Sequence, residues 1–599
     1  MREYSIPALA EIPATANLAD LVARRAAEQP QAVIMRRKNG AATWEDVTTS
    51  QFRDEVYALA AGLIAAGVES GDRVALMSHT RYEWTLIDYA LWSAGAIPVP
   101  IYDTSSAEQA EWILQDSGAR AVFVETEGFE ALIAAVRGRL PALEHVWRFD
   151  PALKDLVAAG ADITHEAVAE RATAAGAADL ATIIYTSGTT GRPKGCELTH
   201  ENVLADARNA FMGPLSDFHT VPDSSTLLFL PLAHTFARII EVATLESGIV
   251  LGHCSDMNDL LPDLASFQPT FILAVPRVFE KVYNSAEQKA TSDGKGAIFA
   301  RAARVAISYS EQLDAASGPG LGLKAQHAVF NRLVYGKLRA ALGGKARWAI
   351  SGGAALSPRL GHFFRGVGVT VLEGYGLTET SPAAAVNMPS RQKIGTVGRP
   401  LPGVSVRIAD DGEVLIKGKI VFPGYWKNEQ ATAETFTDDG WYQTGDLGNL
   451  DDEGFLTITG RKKEIIVTAG GKNVAPAVLE DRLRGNPLIS QCMVVGEGRP
   501  YIGVLITLDP EALSGWLANR GKPADPPFQD IQNDADLLSE LQAAVDDANK
   551  AVSRAESIRK FRLLDGDFTQ EGGHLSAKLS LKRAVVAREF AADIEALYS

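Results

Sequence analysis

Short apolar runs alternate with longer stretches of helical periodicity over the first two-thirds of the chain. Strands separated by helices are typical of a mostly parallel sheet covered on both faces, so this region predicts an α/β fold with two such sheets. The runs that predict buried strands are 72–77, 96–101, 120–125, 226–230, 270–275, 347–351 and 370–373, and those that predict helices include 83–94 and 107–116.

The pattern changes beyond residue 396. Val404, Val406 and Ile408 alternate with polar residues, Asp411 precedes a glycine, and the alternation then resumes, which predicts a hairpin. A further run at 455–459 predicts another strand. We therefore predict a small antiparallel, barrel-like subdomain over 396–460 that completes a large N-terminal domain, 1–460.

The remaining residues, 461–599, carry a set of elements of their own. A helix is predicted from Pro476 to a stop at Gly485, followed by strands at 491–495 and 502–508 and a long helix from about Asp536. These elements suffice for a separate small α+β domain.

Composition excludes several classes of protein. The chain has 599 residues, of which 46% are hydrophobic and 22% charged, as in ordinary globular proteins. A net charge of −16 without a long basic block disfavours a nucleic-acid partner, and disfavours an anionic membrane as the dominant partner. No apolar run nears the ~18 residues of a membrane-spanning helix, so any membrane contact is expected to be peripheral and weak.

Three scattered cysteines give neither a disulfide framework nor a CxxC metal spacing. The first thirty residues lack the cationic and apolar segments of a secretory signal. A reducing, cytoplasmic location is therefore expected.

The stretch YTSGTTGRPKG, 185–195, follows a predicted strand and precedes a helix with Thr199 as its N-cap. Its glycines let backbone N–H groups converge, its hydroxyls add donors, and Lys194 adds a cation, which together suit a polyphosphate. A solvated turn is the alternative interpretation. The GxxxxGK[ST] spacing of P-loop NTPases is absent, so this is a different kind of phosphate loop.

Further motifs follow in the same order as in one known family: LPLAHTFAR (230–238), SGGAAL (351–356), EGYGLTET (373–380), YQTGDLG (442–448) and GRKKEIIVTAGGKNVAP (460–476). With the phosphate loop, they resemble the adenylate-forming superfamily of acyl-CoA synthetases, luciferases and peptide-synthetase adenylation domains. The stretches 95–109 and 275–283 resemble its long-chain fatty acyl-CoA synthetase branch.

This resemblance implies two half-reactions and a mobile C-terminal domain. A fatty carboxylate attacks the α-phosphate of ATP, with Mg²⁺, to give acyl-AMP and pyrophosphate, and coenzyme A then displaces AMP. The domain is expected to rotate about Lys463 and to present Gly470, Gly471 and Lys472 to the thiol-bearing arm of coenzyme A.

The resemblance also assigns residues to each task. Glu379 would hold Mg²⁺, Thr378 would bond the α-phosphate, and His234 would lie near the carboxylate and the acyl entrance. The phosphate-loop residues are Thr186, Ser187, Gly188, Thr189, Thr190 and Lys194. The nucleoside-binding residues are Gly352, Gly353, Ala354, Glu373, Gly374, Tyr375, Gly376, Asp446 and Arg461, with Tyr375 facing adenine and Asp446 accepting from ribose.

The terminal segment GGHLSAKLSLKR, 572–583, departs from the family pattern, which ends in a lysine-bearing TGK or TPxLKxKR. Counting from Ser576 identifies Lys578 as the adenylation lysine, with Lys582 in reserve.

Three alternatives stay open: a fatty acyl-AMP ligase that loads a carrier-protein phosphopantetheine, a medium-chain or aryl acid CoA ligase, and a binding module with an inactive adenylation fold. The inactive binding module is disfavoured because the expected site residues are present: Lys194, Glu379, Asp446 and Arg461.

Overall fold

The computed structural model describes residues 2–40, 42–186, 192–523, 525–576 and 581–599. The strands of this part of the chain are β1 (Glu3–Ser5), β2 (Val33–Lys38), β3 (Trp44–Thr48), β4 (Arg73–Met77), β5 (Ile97–Ile101), β6 (Ala121–Val124), β7 (His145–Arg148), β8 (Leu180–Thr186), β9 (Lys194–Thr199), β10 (Ser225–Leu228), β11 (Val250–His253), β12 (Phe271–Ala274), β13 (Trp348–Ser351), β14 (Thr370–Gly376), β15 (Ala383–Val386), β16 (Arg399–Pro400), β17 (Val404–Ile408), β18 (Glu413–Gly418), β19 (Gly424–Tyr425), β20 (Tyr442–Leu450), β21 (Leu456–Arg461), β22 (Ile466–Val467), β23 (Asn473–Val474), β24 (Ile489–Val495), β25 (Ile502–Leu508) and β26 (Ile558–Leu563).

The α-helices of the same residues are α1 (Asp20–Glu28), α2 (Thr49–Ala65), α3 (Tyr82–Ser93), α4 (Ala107–Ser117), α5 (Glu127–Val136), α6 (Phe149–Ala159), α7 (His165–Ala172), α8 (His200–Met212), α9 (Asp217–Thr220), α10 (Thr235–Ser247), α11 (Leu260–Phe267), α12 (Pro276–Ser292), α13 (Gly296–Leu313), α14 (Leu321–Phe330), α15 (Gly336–Ala341), α16 (Pro358–Val367), α17 (Glu429–Ala433), α18 (Pro476–Arg484), α19 (Pro510–Asn519), α20 (Phe528–Ile531), α21 (Ala535–Asn549), α22 (Arg583–Glu589) and α23 (Ala591–Tyr598). Short 3₁₀ turns cover Arg137–Arg139, Thr378–Thr380 and Lys462–Glu464, and a π turn covers Asn331–Tyr335.

Both mostly parallel sheets predicted from the apolar runs are present. One has four parallel strands in the order β5-β4-β6-β7, and the other has nine in the order β16-β15-β14-β13-β12-β10-β11-β2-β3. In the larger sheet the pairs from β2 to β14 are parallel, while β3, β15 and β16 pair antiparallel at its two ends. The α/β prediction is confirmed, with the β2–β3 hairpin as an addition that the sequence did not indicate.

The phosphate loop lies in a third, antiparallel sheet of order β19-β9-β8. β8 and β9 form a hairpin in which Thr186 pairs with Lys194, so the loop joins two strands. The sequence predicted β8 but missed β9. Thr199 caps α8 as predicted, since its hydroxyl accepts the backbone N–H of Asn202 and the Asn202 side chain bonds back in a capping box.

The hairpin predicted at 404–416 is β17 and β18, with Ile408 opposite Val414 and Val406 opposite Ile416. It belongs to an antiparallel sheet of order β1-β17-β18-β20-β21, which is open between β1 and β21. The N-terminal strand β1 supplies one edge by pairing with β17. The barrel-like subdomain is thus a single curved sheet, and one of its edge strands, β1, comes from the N-terminus of the chain.

The C-terminal part packs α18 and α21 on a three-stranded sheet of order β24-β25-β26. Leu479, Val504, Ile506 and Leu541 form the centre of its own apolar core. The helix from Pro476 ends at Gly485, as the sequence predicted. No helix of the described residues is long and apolar enough to span a bilayer.

Candidate active site

A cavity of about 1180 Å³ lies where the carboxyl ends of β13 and β14 meet the β8–β9 hairpin, the edge of the five-stranded sheet and the C-terminal segment. It is larger than the ~300–1,000 Å³ of a common ligand pocket. Its lining divides into a polar half, built from motif residues, and an apolar half, built from α8, α10 and β15.

Two glycines allow other atoms close to the backbone in the polar half. A Cβ on Gly352 would lie 3.1 Å from the Phe236 ring, and one on Gly376 would lie 1.6 Å from the carbonyl oxygen of Pro382. Gly376 therefore requires glycine, because a Cβ would collide with backbone, whereas a Cβ at Gly352 would need only a small shift of the Phe236 ring. Gly353 and Gly374 also line the cavity.

Three of the nucleoside-binding candidates, Ala354, Glu373 and Asp446, do not line the cavity. Ala354 lies outside its wall, and the carboxylate of Glu373 is buried and accepts backbone N–H groups of Leu356 and Gly395. Burial raises the pKa of Glu373 to about 7. Glu373 is therefore placed to hold two loops together rather than to touch a ligand.

A hydrogen-bonded trio joins β14 to the five-stranded sheet. Asp446 on β20 pairs across the ladder with Arg461 on β21, whose Nε lies 3.0 Å from Asp446 Oδ1. The Tyr375 hydroxyl donates to the other oxygen at 2.7 Å. Burial raises the pKa of Asp446, while Arg461 opposes that shift. Tyr375 and Arg461 line the cavity, and the buried Asp446 carboxylate, which is not part of the wall, holds both side chains in place.

Glu379, Tyr425 and Lys194 form a second polar group. Glu379 lies in the 3₁₀ turn Thr378–Thr380 and is 9% exposed, and it accepts the Tyr425 hydroxyl at 2.9 Å. The Lys194 ammonium lies 5.0 Å from the Tyr425 ring centroid. Burial, together with the Glu379 carboxylate, raises the pKa of Tyr425. Lys194, Thr378 and Glu379 all line the cavity.

Mg²⁺ commonly takes one or two carboxylates and completes its shell with phosphate and water oxygens. Glu379 supplies one carboxylate facing the cavity, and no cluster of three metal-ligating side chains occurs in the described residues. This donor set fits a magnesium ion that is held mainly by phosphate oxygens.

The flanks of the phosphate loop are tied to α4 and β19. Asp116 accepts the Tyr185 hydroxyl at 2.6 Å, and its backbone carbonyl accepts the Trp426 indole N–H at 3.0 Å. The Trp426 backbone N–H donates to Gly195 at 2.8 Å. The sequence did not single out Asp116 or Trp426. Thr186 lines the cavity, whereas Ser187, Gly188, Thr189 and Thr190 lie outside the described residues.

His234 lines the cavity as the N-cap of α10. Its Nδ1 accepts the backbone N–H of Phe236 at 3.0 Å. A neutral ring with an accepting Nδ1 carries its proton on Nε2. Helix capping thus fixes both the tautomer and the direction of the imidazole.

A buried ion pair near His234 joins α10 to α3, and the same arginine also donates a hydrogen bond to β8. The Arg238 guanidinium bonds Asp88 on α3, with Nε at 2.9 Å, and donates to the Thr182 hydroxyl on β8 at 2.6 Å. Both charged side chains are at most 5% exposed. Since Thr182 precedes the phosphate loop on its own strand, this contact fixes the histidine relative to the loop. Arg238 belongs to the LPLAHTFAR motif, but its partner Asp88 lies 150 residues away and could not be inferred from the sequence.

The apolar half of the cavity is lined by Ala210, Phe211, Leu215, Ile239, Ile240 and Leu401. One carboxyl group faces into it. Asp206 on α8 is fully buried, and its Oδ2 accepts the Ala383 N–H at 2.7 Å while Oδ1 has no partner among the described residues. Burial raises the pKa of Asp206 well above its ordinary value, which favours the neutral form. Asp206 could not be singled out from the sequence, because it belongs to none of the motifs.

The C-terminal segment closes one side of the cavity with Gln570, Leu575, Ser576 and Lys582. Leu575 and Leu581 pair across a bridge, and Lys578 lies outside the described residues. Lys463 and Arg461 also face the cavity.

The loop assigned to coenzyme A lies away from the cavity. Gly470, Gly471 and Lys472 are absent from its wall, and the Lys472 ammonium lies 3.6 Å from Glu556 in the C-terminal part. An approach of this loop to the cavity would require the rotation expected from the sequence.

Comparison with known proteins places this geometry in a family. A model described as AMP-binding enzyme matches residues 22–426, and one described as AMP-binding enzyme C-terminal domain matches residues 463–599. The chain is 53% identical over 606 residues to the long-chain-fatty-acid–CoA ligase FadD15 of Mycobacterium bovis, covering 100% of both chains.

Solved structures share the fold. The adenylation domain of a carboxylate reductase from Mycobacterium chelonae is 25% identical, with a TM-score of 0.73 over 97% of this chain and 91% of that one. The anthranilate CoA ligase AuaEII, in complex with anthranoyl-AMP, is 20% identical, with a TM-score of 0.72 over 97% and 99%. Because the family models match most of the sequence, the chain belongs to the AMP-binding enzyme family.

Proposed function

We propose that the protein is an ATP-dependent long-chain fatty acid–CoA ligase. It activates a fatty carboxylate as acyl-AMP with release of pyrophosphate, and then transfers the acyl group to the thiol of coenzyme A. The observation that carries this proposal is one cavity that joins a polar half lined by Lys194, Thr378 and Glu379 to an apolar half lined by aliphatic and aromatic side chains.

In the first step two anions must meet, and the polar half lowers their repulsion. Lys194 and the donors of the phosphate loop stabilise charge on the leaving pyrophosphate, and Thr378 bonds the α-phosphate. The Nε2–H group of His234 donates a hydrogen bond to the incoming carboxylate. When bound through Glu379, Mg²⁺ supplies further charge neutralisation at the phosphate oxygens.

Asp446 and Tyr375 position the nucleoside. Each Asp446 oxygen keeps a second lone pair beyond its bond to Tyr375 or Arg461, so the carboxylate can accept the two ribose hydroxyls. Gly352, Gly353 and Gly374 let the adenosine approach the ends of β13 and β14.

The second step needs a thiol at the place that pyrophosphate leaves. We propose a boundary between the domains at 460–461, with rotation of 461–599 about Lys463. This motion removes the terminal lysine from the cavity and brings Gly470, Gly471 and Lys472 to it. The match of the C-terminal family model to 463–599 supports the boundary.

The preference for long chains is supported by the similarity to FadD15, a long-chain-fatty-acid–CoA ligase, and by the six apolar side chains of the apolar half. A panel of carboxylates from C2 to C20, assayed for AMP formation with and without coenzyme A, tests the proposal. We expect coenzyme A-dependent AMP release that is highest for long chains. AMP release that requires a phosphopantetheinyl carrier protein instead would establish the acyl-AMP ligase alternative.

All three cysteines, Cys196, Cys254 and Cys492, are buried, and no disulfide joins them to one another. This supports our proposal of a reducing, cytoplasmic location.

A further inference from the structure

One stretch of the chain has a charge opposite to that of the whole. Residues 315–372 contain eight Lys and Arg and no Asp or Glu, whereas the chain has 74 acidic residues and a net charge of −16. The stretch begins just beyond α13 and includes α14, the π turn and α15. Its surface is therefore a local positive region on an acidic protein.

Large apolar side chains are exposed in the same region. Leu321 is 85% exposed, Val329 is 56% exposed and Leu333 is 54% exposed. Single exposed leucines are common on protein surfaces, but these three large apolar side chains follow one another along a single helical segment at spacings of eight and four residues and form a stripe.

The inner side of the segment explains its orientation. Phe330, Tyr335 and Leu338 are buried in the core that covers one face of the nine-stranded sheet. A π turn winds more residues per turn than an α turn, so Leu333 and Lys337 are carried round to the same outer side as Leu321 and Val329. The exposed stripe is thus continuous across the junction of α14 and α15.

Cations stand beside the stripe. Lys324, Arg332 and Lys337 are exposed, and none forms an ion pair with a described residue. The nearest acids in sequence are Glu311 and Asp314 at the end of α13, and Asp314 is paired with Arg365 at 2.6 Å. We call Leu321, Lys324, Val329, Arg332, Leu333 and Lys337 the α14 face.

We propose that the α14 face docks the protein on an anionic lipid bilayer. Leucine and valine side chains enter the boundary between headgroups and acyl chains, while the flanking cations contact lipid phosphates. Exposed leucine and valine side chains would contribute little to binding a nucleic acid, which is recognised mainly through its phosphates, so they favour the bilayer. Attraction by three cations is weak and screened by salt, so docking is reversible.

Docking goes beyond the proposed activity and concerns the supply of its substrate. Long-chain carboxylates partition into bilayers, since each buried methylene contributes ~0.8 kcal/mol. A ligase held on that surface meets its substrate at a high local concentration.

Vesicle sedimentation without any substrate tests the proposal. Wild-type protein is mixed with vesicles of phosphatidylcholine containing 30% phosphatidylglycerol (a composition of about one anionic lipid in three) and with vesicles of phosphatidylcholine alone. We expect binding only to the anionic vesicles, with loss above roughly 0.5 M salt. Two variants, one with Lys324→Glu, Arg332→Glu and Lys337→Glu and the other with Leu321→Ser, Val329→Ser and Leu333→Ser, should each bind at least ~10-fold more weakly.

A matched control lies on α6, where Lys154 is exposed and Val157 is 41% exposed. Lys154→Glu with Val157→Ser should leave vesicle binding unchanged. Every variant should retain AMP formation with a soluble short-chain acid, which separates this test from that of the enzymatic proposal. The proposal is overturned if wild-type protein does not bind anionic vesicles. It is also overturned if the control variant weakens vesicle binding as much as the α14 variants do. An α14 variant that instead dissociates a dimer in sedimentation velocity identifies the face as a subunit contact and also overturns it.

Discussion

The two halves of the cavity are built in different ways. In the polar half, Lys194, Thr378 and Glu379 line the cavity, and each belongs to a short run of motif residues. In the apolar half, single residues of α8, α10 and β15 meet only because the helices pack on the sheet. The polar half depends on the positions of individual atoms, whereas the apolar half depends mainly on volume and apolarity. Changes in the polar half should therefore alter rates and nucleotide affinity, and changes in the apolar half should alter which acid is used.

The largest effect is expected from the terminal lysine. A lysine that reaches the carboxylate and the α-phosphate stabilises the transition state of the first step alone, so Lys578→Ala should slow acyl-AMP formation at least ~100-fold. The same variant should still convert preformed acyl-AMP to acyl-CoA. Pyrophosphate release measures the first step and thioester formation the second.

Lys582→Ala is the partner variant, because Lys582 lines the cavity. We expect it to slow acyl-AMP formation much less. An exchange of phenotypes would make Lys582 the adenylation lysine and would show that counting from Ser576 gave the wrong register. Normal adenylation in both variants would show that the terminal segment does not supply the adenylation lysine.

Asp446→Ala should weaken ATP binding by about 2 to 4 kcal/mol, which is roughly 30- to 1,000-fold, because two charge-assisted bonds to ribose are lost. Arg461 would also lose its partner on the adjacent strand. Asp446→Asn is the control for fold, since it keeps the acceptor for Tyr375. Isothermal titration with ATP measures the affinity. An unchanged ATP affinity for Asp446→Ala would show that Asp446 stabilises the sheet but does not bind ATP.

These two halves also differ in how far the sequence predicts them. Motif residues such as Glu379 and Asp446 could be identified from the sequence because their neighbours form a recognisable run. Asp88, Asp116 and Asp206 could not, since their roles depend on partners 150, 310 and 177 residues away. The same reason accounts for β1, which joins a sheet formed by residues some 400 positions later. Local periodicity predicts elements and turns, but long-range partners are fixed only by packing.

A smaller, selective effect is expected in the apolar half. Ile240→Trp adds volume to the wall that we assign to the acyl chain, so kcat/KM for a C16 acid should fall about 10-fold while that for a C6 acid changes little. The affinity for ATP should be unaffected, because the polar half is untouched. Equal losses for both acids, or weaker ATP binding, would show that the two halves are not independent.

The smallest expected effect is on the pH dependence of thermal stability, and it concerns the buried carboxyl of Asp206. Its pKa is raised in the fold, so its contribution to stability is full below the unfolded pKa of ~3.9 and is lost as the pH rises towards the folded pKa. Asp206→Asn keeps an acceptor for the Ala383 N–H and does not titrate. Between pH 5 and 8 the wild-type melting temperature should therefore fall by about 1 to 2 °C more than that of the variant. Parallel curves would mean that Asp206 is ionised and solvated, and the apolar half would then contain a charge facing the acyl chain.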